Sequence, residues 1–310
     1  MLSRTAASLY WVGRYMERAE FTARLIEATI RLDALSPRPA GDAAWASALI
    51  VAAADTGFAK TGEAISPQAV SSYLTLSAAN TSSVRACLDA ARGNARAVRT
   101  ALSRDAWAAI NRAWLSLRGA SLSDRQATMA LIETVKAEAR GFEGALHRML
   151  RNESSWFLGL GAAIERADNT ARLIDVKYHL LLPEGEKVGG AIDRDQWTTI
   201  LHTVSAVTSY RWLYREGLKP WLVAELLIKR RELPRSLAAS IDEVVTLLNA
   251  IGKRTGLQGE ADRLARQRQS TLTRTSTDAI FARGLHEYLT AFIAENGLID
   301  RAIGTQFRFA

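Results

Sequence analysis

The chain has no proline between Pro67 and Pro183, and apolar residues recur three and four positions apart through most of its length. That spacing is typical of helices with one buried face, and no stretch shows the alternation of a half-buried strand. Because proline is excluded from helix interiors, the remaining prolines mark connections or first turns. The sequence therefore predicts an all-α, multi-helix bundle. The predicted helices are 4–34, 43–60, 67–78, 82–102, 104–118, 124–151, 155–182, 194–213, 219–231, 235–253, 260–268 and 276–308.

Several residues suit helix N-caps, where a Ser, Thr, Asp or Asn side chain accepts a hydrogen bond from a backbone N–H of the first turn. The candidates are Asp42, Ser66, Ser103, Ser123, Ser155 and Asp193. Asp193 with Gln196 also fits a capping box. Pro220 and Pro234 are predicted in first turns, where the missing N–H is no loss.

One segment of the sequence occurs twice. WVGRYMERAEFTARLIE at 11–27 returns as GLGAAIERADNTARLID at 159–175, an offset of 148 residues. Of the eleven positions that start at Glu17 and at Glu165, eight are identical and two exchange Glu for Asp. Such a repeat is typical of an internal duplication.

A fainter match relates AANTSSVRACLDA at 78–90 to RELPRSLAASIDE at 231–243, an offset of 153 residues. The two matches together predict a single helical domain over 1–310, built from diverged halves at about 1–150 and 151–310. Pro- and Gly-containing segments at 35–42 and 183–193 are predicted connections after long helices.

On a helix, the charged residues of each copy share one stripe beside a stripe of apolar and small residues. An exposed acid–arginine pair four residues apart stabilises a helix by only about 0.2–0.5 kcal/mol. That gain does not explain two copies of the pattern, so these residues are the candidate site. The candidate acids and bases are Glu17, Glu20, Glu165 and Asp168, and the candidate substrate-binding residues are Arg18, Arg24, Arg166 and Arg172.

Three interpretations of this pattern compete. The charges could form partly buried ion pairs that hold two long helices in register. The two motif helices could instead meet near a pseudo-two-fold axis and form one polar pocket, with carboxylates for proton transfer and arginines for an anionic substrate. A carboxylate-bridged metal site in a ferritin-like bundle needs Glu-x-x-His on two helices. None of His147, His179, His202 and His286 follows a Glu by three residues, so we predict no metal and no cofactor.

Other catalytic signatures are absent: the sequence has no GxGxxG, GxxxxGK[ST], GxSxG or HExxH. Cys87, the only cysteine, lies among apolar residues at helical spacing and is predicted to be a core residue rather than a nucleophile. The eight tryptophans are predicted in the core or at helix interfaces.

The net charge of +8 comes mainly from arginine, and the basic residues are spread out without interleaved aromatics. Nucleic-acid binding is therefore not expected. The most apolar run, 48–54, is far shorter than the roughly 20 residues that span a bilayer. The first twenty residues show no signal-peptide pattern, so we expect a cytoplasmic protein without a membrane segment.

The two ERA motifs, together with MLSRTA at the start and DVKYHLLLP at 175–183, resemble the alpha-E family of bacterial helical proteins, a domain of unknown function. NTSSVRACLDAARGNAR at 80–96 and LPRSL at 233–237 extend the resemblance over essentially the whole chain. Two departures are visible. Gly93 stands where similar proteins tend to have Glu, and Ala162 stands where a second copy of Arg14 would be.

The resemblance implies a function, because the family is described as associating with circularly permuted ATP-grasp ligases and transglutaminase-like proteases. The chain is expected to be an accessory or catalytic component of an ATP-grasp-linked pathway that forms peptide or amide bonds. Whether it is itself an enzyme stays open. The alternative is a non-enzymatic helical scaffold or partner-binding protein whose ERA motifs are structural ion pairs.

Overall fold

The computed structural model describes residues 1–35, 40–179 and 190–309. Within these ranges the chain forms fifteen α-helices, one 3-10 turn at Arg99–Ala101 and no β-strand, which confirms the predicted all-α class. The helices are α1 (Ser3–Leu35), α2 (Ala40–Val51), α3 (Asp55–Ala59), α4 (Pro67–Thr75), α5 (Val84–Ala97), α6 (Arg104–Ser116), α7 (Arg125–His147), α8 (Glu153–His179), α9 (Ala191–Thr203), α10 (Val207–Tyr214), α11 (Pro220–Lys229), α12 (Leu237–Thr255), α13 (Glu260–Arg274), α14 (Thr277–Arg283) and α15 (Leu285–Phe307).

Three predicted helices are each two helices in the structure. A residue with positive φ separates the two parts in every case: Ala53 (φ 50°) between α2 and α3, Ser205 (φ 58°) between α9 and α10, and Gly284 (φ 102°) between α14 and α15. A right-handed helix needs negative φ at every residue, so one such residue ends it. Apolar spacing continues across these positions, which is why the sequence pattern joined the parts.

Two of the predicted N-caps are confirmed. The hydroxyl groups of Ser66 and Ser103 each accept a hydrogen bond from the third residue beyond them, at 3.2 Å. The cap of α7 is Asp124 instead of the predicted Ser123. The prediction for Ser155 is wrong, because α8 already begins at Glu153.

Of the remaining predicted helix starts, one is confirmed and three are wrong. Pro220 lies in the first turn of α11, as predicted. Asp42 and Asp193 lie within the first turns of α2 and α9 instead of capping them, so the predicted capping box is absent. Pro234 precedes α12, whose cap is Ser236. Of the predicted connections, 36–39 and 183–189 lie outside the described residues, as do the predicted helical residues 180–182. Residues 40–42 and 191–193 are already helical, so the prediction is wrong there.

Helices α1 and α8 meet backbone to backbone through two glycines. A Cβ on Gly13 would lie 2.0 Å from the carbonyl oxygen of Leu158, and a Cβ on Gly161 would lie 2.0 Å from that of Tyr10. Leu158 and Tyr10 are 148 residues apart, as are the glycines. The two helices therefore contact each other through equivalent positions of the repeat.

The two long helices also run in the same direction. Farther along, Leu25 and Leu173, again 148 residues apart, line one small cavity. Both sequence positions thus increase together along the contact. The charged stripes of the two motifs are consequently brought to the same level of the bundle.

Each long helix is covered by a matching pair of helices. Helices α5 and α7 pack on α1, and α12 and α15 pack on α8. The caps of α5 and α12, Ser83 and Ser236, stand 153 residues apart, which is the offset of the fainter sequence match. The hydrophobic core surrounds the α1–α8 contact, and Leu9, Ile26 and Ile174 in it are inaccessible to solvent. Among the described helices there is none whose length and apolar character would let it cross a membrane.

The prediction for the tryptophans is only partly confirmed. Trp45 and Trp197 are buried, but Trp212 and Trp221 are 79% and 51% exposed. They lie on the adjacent short helices α10 and α11. Helical spacing does not distinguish an aromatic side chain that faces solvent from one that faces the core.

The glycine contact predicts a large difference between two Gly→Ala substitutions. Gly13→Ala places a methyl group inside the backbone of α8, so the helices must separate, and we expect a loss of about 3 kcal/mol or more in the free energy of unfolding. The matched control is Gly93→Ala in α5, where nothing lies within 4 Å of the added Cβ. There the better helix propensity of alanine should give a gain of about 0.5–1 kcal/mol. Urea denaturation measures both, and equal values for the two variants contradict the contact.

Candidate functional site

The Glu–Arg pairs of the two motifs bind each other across the α1–α8 contact. Arg18 donates from Nε and Nη2 to the two carboxylate oxygens of Glu165, at 2.6 and 2.9 Å. Conversely, Arg166 donates from Nη2 and Nε to one oxygen of Glu17, at 3.1 and 3.3 Å. The side chains of Glu17 and Glu165 are 5% and 2% exposed. The glutamate of each motif thus binds the arginine of the other.

A second arginine completes the environment of Glu165. Arg14 donates from Nε to Glu165 at 2.7 Å, and its Nη1 lies 2.5 Å from Asp300 on α15. The hydroxyl group of Tyr10 also donates to Asp300. Glu165 is therefore held by two guanidinium groups, one of which is anchored in turn by a carboxylate of the outer helix.

An arginine from outside the motifs is the second guanidinium group that binds Glu17. Arg235 lies between α11 and α12 and donates to Glu17 at 2.5 Å and to Glu20 at 2.8 Å. Arg24 donates to the other oxygen of Glu20 from Nε, at 2.8 Å, and from Nη2, at 2.5 Å. We call these two neighbouring networks together the ER cluster: Arg14, Arg18 and Glu165 in one, and Glu17, Glu20, Arg24, Arg166 and Arg235 in the other.

These contacts determine what the carboxylates can do. Burial alone would raise the pKa of Glu17, but Arg235 and Arg166 outweigh it and lower that pKa below its usual value. Burial would likewise raise the pKa of Glu165, but Arg18 and Arg14 outweigh it and lower that pKa below its usual value. Both groups stay ionised, and arginine N–H groups occupy their oxygens. A carboxylate in that state is a poor proton carrier.

The remaining predicted site residues lie outside the ER cluster. Asp168 binds Arg172 one turn along α8, at 2.7 Å, and the two side chains are 21% and 32% exposed. Asp175, at the end of the second motif, is hydrogen-bonded to Nδ1 of His286 at 2.7 Å. The structure therefore brings six of the eight predicted residues together and leaves Asp168 and Arg172 as a separate pair nearer the surface.

A cavity of about 130 Å³ opens beside Glu17. Its inner wall includes the α1–α8 crossing and Arg166, and its mouth has the carboxylates of Glu143 and Glu243, 45% and 41% exposed. Arg166 bridges the two regions, with Nη1 3.0 Å from Glu243 and Nη2 3.7 Å from Glu143. We call it the mixed-charge cavity, and its lining is Gly13, Met16, Glu17, Glu20, Ala139, Phe142, Glu143, Leu146, His147, Gly159, Ala162, Arg166, Pro234 and Glu243.

A larger opening of about 470 Å³ continues along the same α1–α7 groove. Its charged lining is mostly cationic, with Glu27 as a carboxylate that binds Arg31 and Lys136. Burial, together with Arg31, lowers the pKa of His202 in its wall. Arginine and lysine groups in excess suit a carboxylate or phosphate. We call it the basic cleft, lined by Arg24, Glu27, Ala28, Arg31, Lys136, Arg140, His202, Ser205, Val207 and Thr208.

Sequence reasoning missed four residues that the site depends on. Arg14, Arg235, Glu143 and Glu243 lie outside the eleven-residue motifs, on other turns or other helices. Arg14 and the LPRSL segment that carries Arg235 stood out only as features of the family resemblance. Glu143 and Glu243 had no signal, because a single acid on a helix surface is indistinguishable in sequence from a solvated one.

Within the described parts of the chain, no group of three His, Cys, Asp or Glu side chains is arranged to hold a metal ion. Burial raises the pKa of Cys87 to about 12, so its thiol is protonated at neutral pH. Its position in the core agrees with the prediction. His147 lines the mixed-charge cavity, and His202 lines the basic cleft, whereas the side chain of His179 lies outside the described residues.

Comparison with known proteins gives one match. The model of the Alpha-E family, described as a predicted alpha-helical domain with a conserved ER motif, matches residues 1–307. No curated protein and no solved structure matches the chain. The ER of that description occurs here at Glu17–Arg18 and at Glu165–Arg166, the two pairs that bind each other.

The reciprocal pairing predicts unequal roles for two acids of the second motif. Glu165→Gln leaves the buried guanidinium groups of Arg14 and Arg18 without their carboxylate, so we expect a loss of about 3–5 kcal/mol in the free energy of unfolding. Asp168→Asn, the matched control, removes an i, i+4 pair that is partly exposed and should cost less than about 0.5 kcal/mol. Chemical denaturation measures both. Similar losses in the two variants would show that Glu165 is not the structural acid.

The lowered pKa of Glu165 also predicts the direction of its pH dependence. The folded state binds the proton more weakly than the unfolded state, so the stabilisation is present above the usual pKa of about 4.5 and is lost as pH falls below it. We expect the free energy of unfolding to fall from pH 5 toward pH 3 more steeply in the wild type than in Glu165→Gln, by up to about 1.4 kcal/mol per pH unit. Parallel slopes over this range would contradict the assignment.

Proposed function

The chain belongs to the Alpha-E family, and we propose that it is a non-enzymatic accessory protein of an ATP-grasp-linked pathway that forms or trims peptide or amide bonds. In this proposal the ER motifs hold α1 and α8 together, and the α1–α7 groove beside them receives the substrate. The partners are an ATP-grasp ligase and a transglutaminase-like protease. Their support is the family resemblance of the sequence, which also supports a bacterial setting.

The observation that carries the accessory function is the state of the motif carboxylates. Glu17 and Glu165 are buried, ionised and bound by two arginines each. A general acid or base must exchange a proton with a substrate at hydrogen-bond distance. Groups that are already saturated by guanidinium donors instead fix the register of two helices.

The groove supplies what a binding protein of this kind needs. Its two openings carry opposite character: carboxylates at the mouth of the mixed-charge cavity and cations in the basic cleft. Arg24 connects them, since it binds Glu20 and also donates to Ser205 in the cleft wall at 2.6 Å. A peptide or amino acid, which carries both signs of charge, is matched by such a groove.

A docking surface for the ligase is offered by the exposed tryptophans of α10 and α11. Trp212 is 79% exposed and Trp221 is 51% exposed, beside Leu213 at 40%. Large aromatic side chains left in water are common anchors of protein interfaces. We place the ligase contact here.

The origin of the fold is part of the same proposal. The glycine contact and the ER pairing relate residues at the offset of the sequence repeat, and each long helix has its own covering pair. These relations support a duplication of a half-length helical unit, with α1, α5 and α7 corresponding to α8, α12 and α15.

The test is a reconstitution of the full chain with an ATP-grasp ligase from the same genome. We expect Trp212→Ala with Trp221→Ala to weaken the complex by at least about 30-fold, the effect of losing an interface anchor of 2 kcal/mol or more. The control Leu115→Ala, at an exposed leucine on α6, should leave binding unchanged.

The same reconstitution separates an accessory protein from a catalyst. Asp168→Asn removes the motif carboxylate nearest solvent and should leave the ligase rate within about twofold. A loss of about 100-fold or more in kcat, with the complex intact, is the size expected for a general acid or base. That outcome would replace the accessory function by a catalytic one.

A further inference from the structure

The guanidinium group of Arg14, a residue of the first half of the chain, fills the space beside Glu165. Arg14 is 8% exposed and binds Glu165 at 2.7 Å and Asp300 at 2.5 Å. Its guanidinium carbon also lies 5.3 Å from the ring centroid of Trp11. Two carboxylates and an aromatic ring thus surround this buried cation.

The second half lacks both large side chains at the corresponding place. The residues 148 positions after Trp11 and Arg14 are Gly159 and Ala162, and both line the mixed-charge cavity. The reciprocal glycine contact shows that this offset relates the two helices in space as well as in sequence. The mixed-charge cavity therefore occupies the place that Trp11 and Arg14 fill in the other half.

Around the cavity, carboxylates outnumber the guanidinium groups that bind them. The four carboxylates are Glu17, Glu20, Glu143 and Glu243, and the three guanidinium groups are those of Arg24, Arg166 and Arg235. Burial raises the pKa of Glu243, while Arg166 and His147 lower it and Glu17 and Glu143 raise it. Counted as ionised groups, the carboxylates around the cavity exceed the guanidinium groups by one, and His147 is the other titratable group in the lining.

We propose that the mixed-charge cavity binds a guanidinium group, held between the carboxylates of Glu143 and Glu243 beside Ala162, the residue that corresponds to Arg14 at the offset of the repeat. The volume agrees with this ligand: about 130 Å³ is close to the roughly 150 Å³ that takes a benzene ring, so a guanidinium group with a short alkyl stem fits. The half-exposed mouth lets it enter from solvent. Planar, paired donors suit carboxylates better than an ammonium group does.

This assignment goes beyond the accessory function, because it names the chemical group that the cavity binds. It can be tested on the isolated protein with no ligase present. The same chemistry has two sources, a small free guanidine and the arginine side chain of a peptide. Agmatine and the capped tripeptide Ac-Ala-Arg-Ala-NH2 distinguish them: tighter binding of the tripeptide indicates a peptide ligand, and tighter binding of agmatine indicates a small molecule.

The experiment is calorimetric titration of the full-length protein with propylguanidinium. We expect saturable binding, with the neutral isostere propylurea and with propylammonium each at least about tenfold weaker. Glu243→Gln should weaken propylguanidinium binding by about 10- to 100-fold, as expected for loss of a charged hydrogen-bond partner. The matched control Glu260→Gln, at a distant exposed glutamate, should leave the affinity unchanged.

A second variant places the ligand's own group in the cavity. Ala162 is the position that corresponds to Arg14 in the repeat. Ala162→Arg places a tethered guanidinium group in the cavity, so it should abolish propylguanidinium binding and raise Tm. Ala162→Gln, a polar but uncharged side chain, should not raise Tm. The proposal is overturned if propylguanidinium does not bind the wild-type protein, if Ala162→Arg binds it with unchanged affinity, or if propylammonium binds equally well.

Discussion

Two carboxylates buried between two helices are the interaction on which the rest of this structure depends. Glu17 and Glu165 lie where α1 and α8 approach backbone to backbone, and each is neutralised by the arginine of the opposite motif. Burying a charge is costly unless its partner arrives with the right geometry, so alternative registers of the two helices leave ions unpaired. The glycines permit the approach and the ion pairs select one register. The outer helices pack on this pair.

Much of this could be predicted from the sequence, because the information is local to each helix. Spacing of apolar residues predicted the helical class, and the repeat identified Glu17, Arg18, Glu165 and Arg166 as one functional unit. The partners of that unit could not be found in this way. Arg235 reaches Glu17 across 218 residues, and helical periodicity describes one segment at a time. Breaks at single residues of positive φ, such as Ser205, are likewise invisible to a pattern averaged over several turns.

The difference between the two halves is as informative as their likeness. In the first half Arg14 and Trp11 close the space beside the crossing, whereas Gly159 and Ala162 leave it open in the second. A purely structural repeat gains from filling such a space, since buried voids and uncompensated charge both reduce stability. The half that keeps the cavity also keeps an excess of carboxylates around it. Only the structure reveals the open cavity, because the sequence shows only that two residues are smaller in the second copy than in the first.

The ER motif and the groove beside it are neighbours that overlap at Glu17 and Arg166. Arginine N–H groups bind both oxygens of Glu17 and of Glu165, so a substitution at either glutamate is expected to change the stability of the protein. The residues proposed to face a ligand are Glu143, Glu243 and the cations of the basic cleft, and of these Arg24 alone belongs to an eleven-residue motif. In this chain the ER motif marks the contact between α1 and α8. The choice of a ligand must then be sought in the side chains that line the groove beside that contact.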